Sequence, residues 1–280
     1  MSSLVRASSP LGGRLLRLAG IAFCLTLVAY ILIPIIVTLV MSFSGSQQLR
    51  FPITGWSLKW YVTFASSPQW VRALTNSLFI ATGTMVLSTC TGVAAAWVFT
   101  RHRFFGASAL YLAIVVPLFM PGVVLALGIA MTFSRIEMFG ASPFGSPYLV
   151  ILSHSLWAMP LVFLLMEAVF RTLDQRLVEA AFDLGARPLR VFVEVVLPSC
   201  LSGILSSALF AFVISLNEFI MALFLTDRDS QTLPVLMWLS LRSAATPQLA
   251  VASMTLTAAV LLGLALIAIL TTTRLRPQSR

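Results

Sequence analysis

Apolar residues run along this chain in long blocks, and polar ones are squeezed into short clusters between them. Six blocks stand out: Leu18–Phe43, Leu78–Phe99, Ala109–Phe133, Tyr148–Phe170, Leu201–Thr226 and Leu249–Leu270. A helix rises about 1.5 Å per residue and needs about 20 mainly apolar residues to cross the hydrocarbon core. Each block therefore predicts a transmembrane helix, since a barrel would need short segments of alternating polarity instead. The predicted fold class is an all-α integral membrane protein with six transmembrane helices. One membrane domain covers 18–270, flanked by terminal segments at 1–17 and 271–280. The first connection, Ser44 to Ser77, carries Trp56, Trp60, Tyr61 and Trp70. Such amphipathic rings favour the headgroup level, so this segment is expected to lie along the membrane surface.

Composition sharpens this picture. Of the 280 residues 59% are hydrophobic and 10% charged, against about 25% charged in an ordinary soluble domain. Eighteen basic residues outnumber nine acidic ones, but they are dispersed between apolar runs. That is no nucleic-acid footprint, and the lipid bilayer is the main partner. Twelve of the eighteen lie in the N-terminal segment, the second and fourth connections and the tail, where Arg6, Arg14 and Arg17 begin the series and Arg274, Arg276 and Arg280 end it. The cytoplasmic side retains basic residues during insertion, so both termini are predicted to be cytoplasmic. The first apolar run is too long for a cleaved leader. Cys24, Cys90 and Cys200 lack metal-ligand spacing and read as small buried apolar side chains. The methionines and phenylalanines imply packing rather than a cofactor.

The connection from Arg171 to Cys200 holds four of the nine acidic residues and four arginines, so it works in water. Leu173, Leu177, Ala180, Ala181 and Leu184 follow the spacing of one helical face. Asp174 is placed to cap that helix and Gly185 to end it. Arg187 and Pro188 suit a restart, because proline is tolerated in a first helical turn. Ala180, Ala181 and Gly185 remove bulk where another surface can approach. Around them Arg176, Glu179, Asp183 and Arg187 offer charge-assisted hydrogen bonds. On physical grounds the same segment also reads as a solvated hairpin that merely links two spans.

The spelling Glu179-Ala180-Ala181, three residues, Gly185, nine residues, then Val195-Val196-Leu197-Pro198 resembles the EAA loop of permease subunits in binding-protein-dependent ABC importers. The family form ends in Ile-x-Leu-Pro, and Val195 stands here for the isoleucine. The resemblance implies the type I importer permease fold, in the cytoplasmic (inner) membrane of a prokaryote. It implies that Glu179, Ala180, Ala181, Asp183, Gly185, Arg187 and Pro198 couple the chain to ATPase subunits. Further implied partners are two cytoplasmic ATP-binding subunits, a second permease subunit, identical or homologous, and an extracytoplasmic substrate-binding protein. The sequence has no G-x-x-x-x-G-K-[ST] phosphate loop, and its one lysine is Lys59. The permease is thus expected to lack an ATP site of its own.

The segment Ser215–Thr226, with Leu233-Pro234, Arg242 and Thr246-Pro247, is similar to the spermidine and putrescine class. Asn217 stands where members of that class often carry an acid, which leaves iron or another small organic solute open beside a polyamine. Asn217, Glu218 and His154 are the candidate pathway residues, because polar groups within hydrocarbon are costly and often functional. His154 also reads as a helix-packing hydrogen-bonding group. Glu167 reads as an ion pair with Arg171 one turn on. Pro117, Pro121 and Gly122 in the third span and Pro160 in the fourth are expected to bend their helices. An ion-driven secondary transporter would show more mid-membrane ionisable groups and paired broken helices. An intramembrane hydrolase built on Ser108 and His154 would need a proximity that spacing does not supply.

Overall fold

The computed structural model describes residues 10–137 and 142–274. Arg6, Arg276 and Arg280, on which part of the orientation argument rests, lie outside the described residues, as do the ends of the two terminal segments. Thirteen α-helices are described: α1 (Pro10–Ser42), α2 (Lys59–Ser66), α3 (Pro68–Arg101), α4 (Ala107–Val115), α5 (Gly122–Phe133), α6 (Pro147–Arg171), α7 (Gln175–Asp183), α8 (Pro188–Val191), α9 (Leu197–Ser199), α10 (Leu201–Asn217), α11 (Ile220–Leu225), α12 (Leu233–Ser243) and α13 (Gln248–Arg274). The β-type pairings among the described residues are isolated bridges, Ser44 with Trp56 and Gly145 with Thr226. Four helices are individually long and apolar enough to span a bilayer, and six spans result if each of two bent pairs counts as one.

The heart of the molecule is the packing of α3, α6 and α10. On α3 the buried positions Ala73, Ser77, Ala81, Thr84, Ser88, Gly92 and Ala96 recur every three or four residues and are all small. Small residues on one face let helix backbones approach closely where lipid gives no hydrophobic drive to associate. At Gly92 the approach is tight enough that a Cβ would fall 2.8 Å from Val162 and 3.1 Å from the Met159 carbonyl of α6. Around these contacts Val162, Phe163, Met166, Phe170, Val191 and Val196 form a buried cluster at the end that carries the 171–200 loop. A second cluster at the opposite end joins α2, α3, α12 and α13 through Trp60, Phe64, Trp70 and Leu233.

Several sequence expectations change in detail. The second span begins ten residues earlier than its hydropathy suggests, at Pro68 rather than Leu78. Trp60 and Trp70 are only 8% exposed, whereas Trp56 is 72% exposed. The first connection therefore supplies core as well as surface, because α2 packs against α3 and α13. The third span is not one bent helix but two, Ala107–Phe119 and Gly122–Phe133, at 104°. Pro117 falls in a 3-10 turn and Pro121 precedes α5, so the ladder is interrupted twice. It still joins the two ends, from Tyr111 beside Glu167 to Phe133 packed near Leu149 and Leu225. In α6, by contrast, the helix continues through a buried Pro160. Cys200 is buried as expected, but Cys24 and Cys90 lie exposed on their helices. α1 is apolar and exposed along its spanning window, with none of it buried within this chain, as suits a helix surrounded by lipid or another subunit.

Candidate functional site: the 171–200 loop and the exposed face of α10

The loop folds as a helix, a sharp turn and a second helical stretch. Asp174 Oδ1 accepts the Arg176 amide at 3.0 Å, satisfying one of the free donors at the start of α7. Gly185 ends the turn with φ +81°, a left-handed conformation that costs a residue with a Cβ about 1–2 kcal/mol. Nothing lies within 4 Å of where that Cβ would sit. Backbone conformation, not crowding within the chain, is what selects glycine there. Arg187 caps the restart, with Pro188 in its first turn. The chain then passes through a π turn at Phe192–Val196 and a turn at Leu197–Ser199. This stretch meets α10 at 77°.

The apolar face read from the sequence divides in two, and Val178, which that reading did not include, joins its inner part. Val178, 5% exposed, packs onto the loop-end core with Leu173 and Ala181. Leu177 is 50% exposed and Leu184 89%, and Ala180 is exposed beside them. The helix thus presents a small exposed apolar patch, with Leu177 at the edge of the loop-end cavity and Leu184 more exposed still. The ion pairs of the described residues are Arg72–Asp229, Glu167–Arg171 and Arg190–Glu194. Arg176, Glu179, Asp183 and Arg187 frame the patch with no such partner among the described residues. Pro198 lies beyond the π turn, at the approach to α10.

Two cavities flank α10. The larger, of about 690 Å³, lies at the end opposite the loop, where Val213, Asn217, Phe219, Trp238, Ser253 and Thr257 contribute to its lining. The other, of about 630 Å³, opens beside the loop, among Thr172, Asp174, Ser199, Ser202, Ser206 and Phe210. Ser202, Ser206, Phe210, Val213 and Asn217 follow one helical face from the second cavity to the first. Phe210, 57% exposed, stands between the serines and the Asn217 chamber. The serine spacing was visible in the fifth span but carried no weight without knowledge of which face stays open.

The three candidate pathway residues separate. Asn217 lines the larger cavity, its Nδ2 donating to the Val213 carbonyl at 2.8 Å. Glu218 is buried at the gap between α10 and α11, and its Oε1 accepts the Met221 amide at 2.7 Å. His154, 1% exposed, lies in the α3–α6–α10 core. Its Nδ1 is 2.8 Å from Ser215 Oγ, which donates to Thr84 Oγ1 at 3.2 Å. Ser108, which an intramembrane hydrolase would pair with His154, lines a separate cleft with Tyr111 and Glu167 at the loop end. Glu167 pairs with Arg171 at 2.6 Å and accepts the Tyr111 hydroxyl at 3.3 Å.

Residues 88–278 match the family described as binding-protein-dependent transport system inner membrane component. The putrescine transport system permease protein PotI of Escherichia coli (strain K12) is 31% identical, over 77% of this chain and 77% of its own length. The spermidine/putrescine transport system permease protein PotC of Haemophilus influenzae is 26% identical, over 81% of this chain and 86% of that protein. Among solved structures, a bacterial ABC transporter involved in the import of the acidic polysaccharide alginate superposes with a TM-score of 0.74 at 16% identity, covering 96% of this chain and 100% of that one. The MetNI methionine ABC transporter gives 0.58 at 17% identity, over 75% of this chain and 100% of that one. At such identities the structural likeness shows the fold.

Proposed function

The chain belongs to the family of inner membrane components of binding-protein-dependent transport systems, and we propose that α7 is the element through which it receives work from ATPase subunits. It is an ABC importer permease of the inner membrane, and ATP hydrolysis belongs to a partner subunit. The observation that carries the coupling role is the apolar patch of Leu177, Ala180 and Leu184, turned away from the core beside the unobstructed turn at Gly185. A patch of this kind in a charged loop suits a groove on a separate cytoplasmic protein. Glu179, Asp183, Arg176 and Arg187 fix its register, Ala181 holds the loop to the bundle, and Pro198 stands exposed where the loop turns into α10. Because α7 leads to α6 on one side and α10 on the other, a rigid shift of the docked helix tilts both.

In this reading residues 18–270 form one permease domain with a coupling loop at 171–200, and both termini are cytoplasmic. The functional unit contains two ATP-binding subunits, a second permease, identical or homologous, and an external binding protein. The open face of α10 lines the translocation pathway, with Asn217 in its outer chamber, Ser202 and Ser206 in its inner one, and Phe210 between. His154 and Glu218 serve the pathway indirectly, by holding α10 in place. The names of the relatives favour a polyamine or similar small organic solute. The described lining of the outer chamber includes no carboxylate, which favours, as a second reading, a solute that carries less positive charge.

Gly185→Asp tests the coupling role, since it strains the turn and puts a charge at the patch. The expected result is loss of co-purifying ATPase with normal membrane insertion. A complex of normal stoichiometry that still transports would remove α7 from this role. Uptake of putrescine against neutral solutes, before and after Asn217→Asp, separates the two substrate readings.

A further inference from the structure

Of the three central helices, α3 is the longest, and it alone has neither an internal proline nor a break in its line. Its one proline, Pro68, sits in the first turn, while α6 contains Pro160 and the α10 line breaks at Glu218 and Phe219. With 34 residues it is about 50 Å long at the usual rise per residue. Both of its ends are gripped.

At the loop end, Trp97 lies between Phe170, the penultimate residue of α6, and Phe192 of the π turn, with ring centroids 5.4 and 5.3 Å away. The Arg101 guanidinium stacks over Trp97 at 4.5 Å and donates from Nη1 to Gln175 Oε1, at the first residue of α7. The segments entering, starting and following α7 therefore all meet one turn of α3. Arg101 Nη2 is buried without an acceptor. A buried orphan donor is uncommon and needs a physical account; a second position of α7 supplies one, in which that donor is used.

At the other end, Asn76 Nδ2 donates to the carbonyls of Asp229 and Gln231 at 2.8 and 3.0 Å. The Leu233 amide donates to Ser77 Oγ at 2.7 Å. Arg72 pairs with Asp229. Leu233 begins α12, and Pro234, Met237, Trp238 and Leu241 of α12 line the outer chamber.

We propose that α3 is a transmission rod that carries displacement of α7 directly to the α12 wall of the outer chamber, with Trp97 and Arg101 as the positioning residues that engage it. This route runs beside the covalent one through α6 and α10, and it rests on the reading of α7 as the ATPase-docked helix. Through it the state of the ATPase sets the shape of the chamber that receives solute.

The test uses the assembled complex with Cys24, Cys90 and Cys200 replaced by alanine and a Leu241→Cys reporter on α12. Thiol modification is timed with and without trapped nucleotide. The expected parent response is a several-fold change in rate on trapping. Trp97→Leu with Arg101→Gln should bring the ratio to within about twofold of unity while ATPase stays bound, and Arg101→Lys with Gln175→Glu should restore most of it. Ala94→Gly with Ala95→Gly softens the rod, leaves both grips intact and should also diminish the response; it carries the test if the first pair fails to assemble. An undiminished response in the variants, with ATPase bound, overturns the rod. A parent that binds ATPase yet shows no response overturns it too, whereas a parent that binds none overturns the coupling role of α7 itself.

Discussion

Glu218 Oε1 accepts the Met221 amide at 2.7 Å, closing the break between α10 and α11. An acceptor at this point satisfies one of the free donors at the start of α11, and losing such a cap costs about 1 kcal/mol. Glutamine keeps an acceptor oxygen and alanine does not. Glu218→Gln is therefore expected to keep thermal stability and uptake near normal, and Glu218→Ala to lower both. Transport assays in proteoliposomes check it. If the carboxylate's charge were what matters, glutamine would fail as badly as alanine.

Val178 and Leu177 are neighbours with opposite roles. Val178 is 5% exposed and Leu177 50%. Val178→Ala leaves a gap in the core and should destabilise the isolated permease by about 1–3 kcal/mol. Leu177→Ala should leave its melting temperature unchanged and weaken ATPase binding severalfold. Melting curves and pull-down titrations of the two variants would show the crossing pattern, and two variants with the same profile would show that α7 has one face only.

The His154–Ser215 contact at 2.8 Å is buried on both sides. Ser215→Ala strands a ring nitrogen and also deprives Thr84 of a donor, at a cost of about 1–3 kcal/mol. Removing both partners is less damaging than removing the serine alone, because the stranded ring nitrogen goes too and only Thr84 is left short of a donor. The double variant His154→Leu, Ser215→Ala should thus melt above the Ser215→Ala single variant, as differential scanning in detergent can determine.

In the loop after α11, the Ser230 amide donates to Asp227 Oδ1 at 2.9 Å, as do the Asp229 amide at 2.9 Å and the Ser230 hydroxyl at 2.9 Å. The Ser230 amide above all holds the Asp227 carboxyl below its usual range. A group whose pKa is lowered on folding stabilises the loop above its unfolded pKa and loses that contribution as pH falls through the folded value. Amide exchange at Asp229 and Ser230 should stay protected through neutral and mildly acidic pH and rise only below the ordinary carboxylate range. Asp227→Asn should abolish that dependence. A transition in neutral solution would contradict it.

The loop was legible because its signals are local. Asp174, Gly185 and Pro188 act within one turn of where they stand, so start, stop and restart fell where the spacing put them. The division of the apolar face was not legible: Leu173 and Ala181 face the bundle and Leu177 does not, Val178 joins them from outside that face, and only the approach of Phe170, Val191 and Val196 decides which. Trp60 and Trp70 misled for a related reason, since a ring suited to the headgroup level is equally suited to a core shared by α2, α3, α12 and α13.

Apolar run length and the placement of caps, glycines and prolines determined by themselves an all-helical membrane protein with a polar helix-turn-helix between its fourth and fifth apolar blocks. Those properties depend on the solvent and on neighbours within a turn. Tertiary packing alone decided that His154 bonds Ser215, that Glu218 is buried at the break it caps, and that Arg101 reaches Gln175. Each of these depends on which sides of two helices meet, and helical period constrains a face without naming its partner.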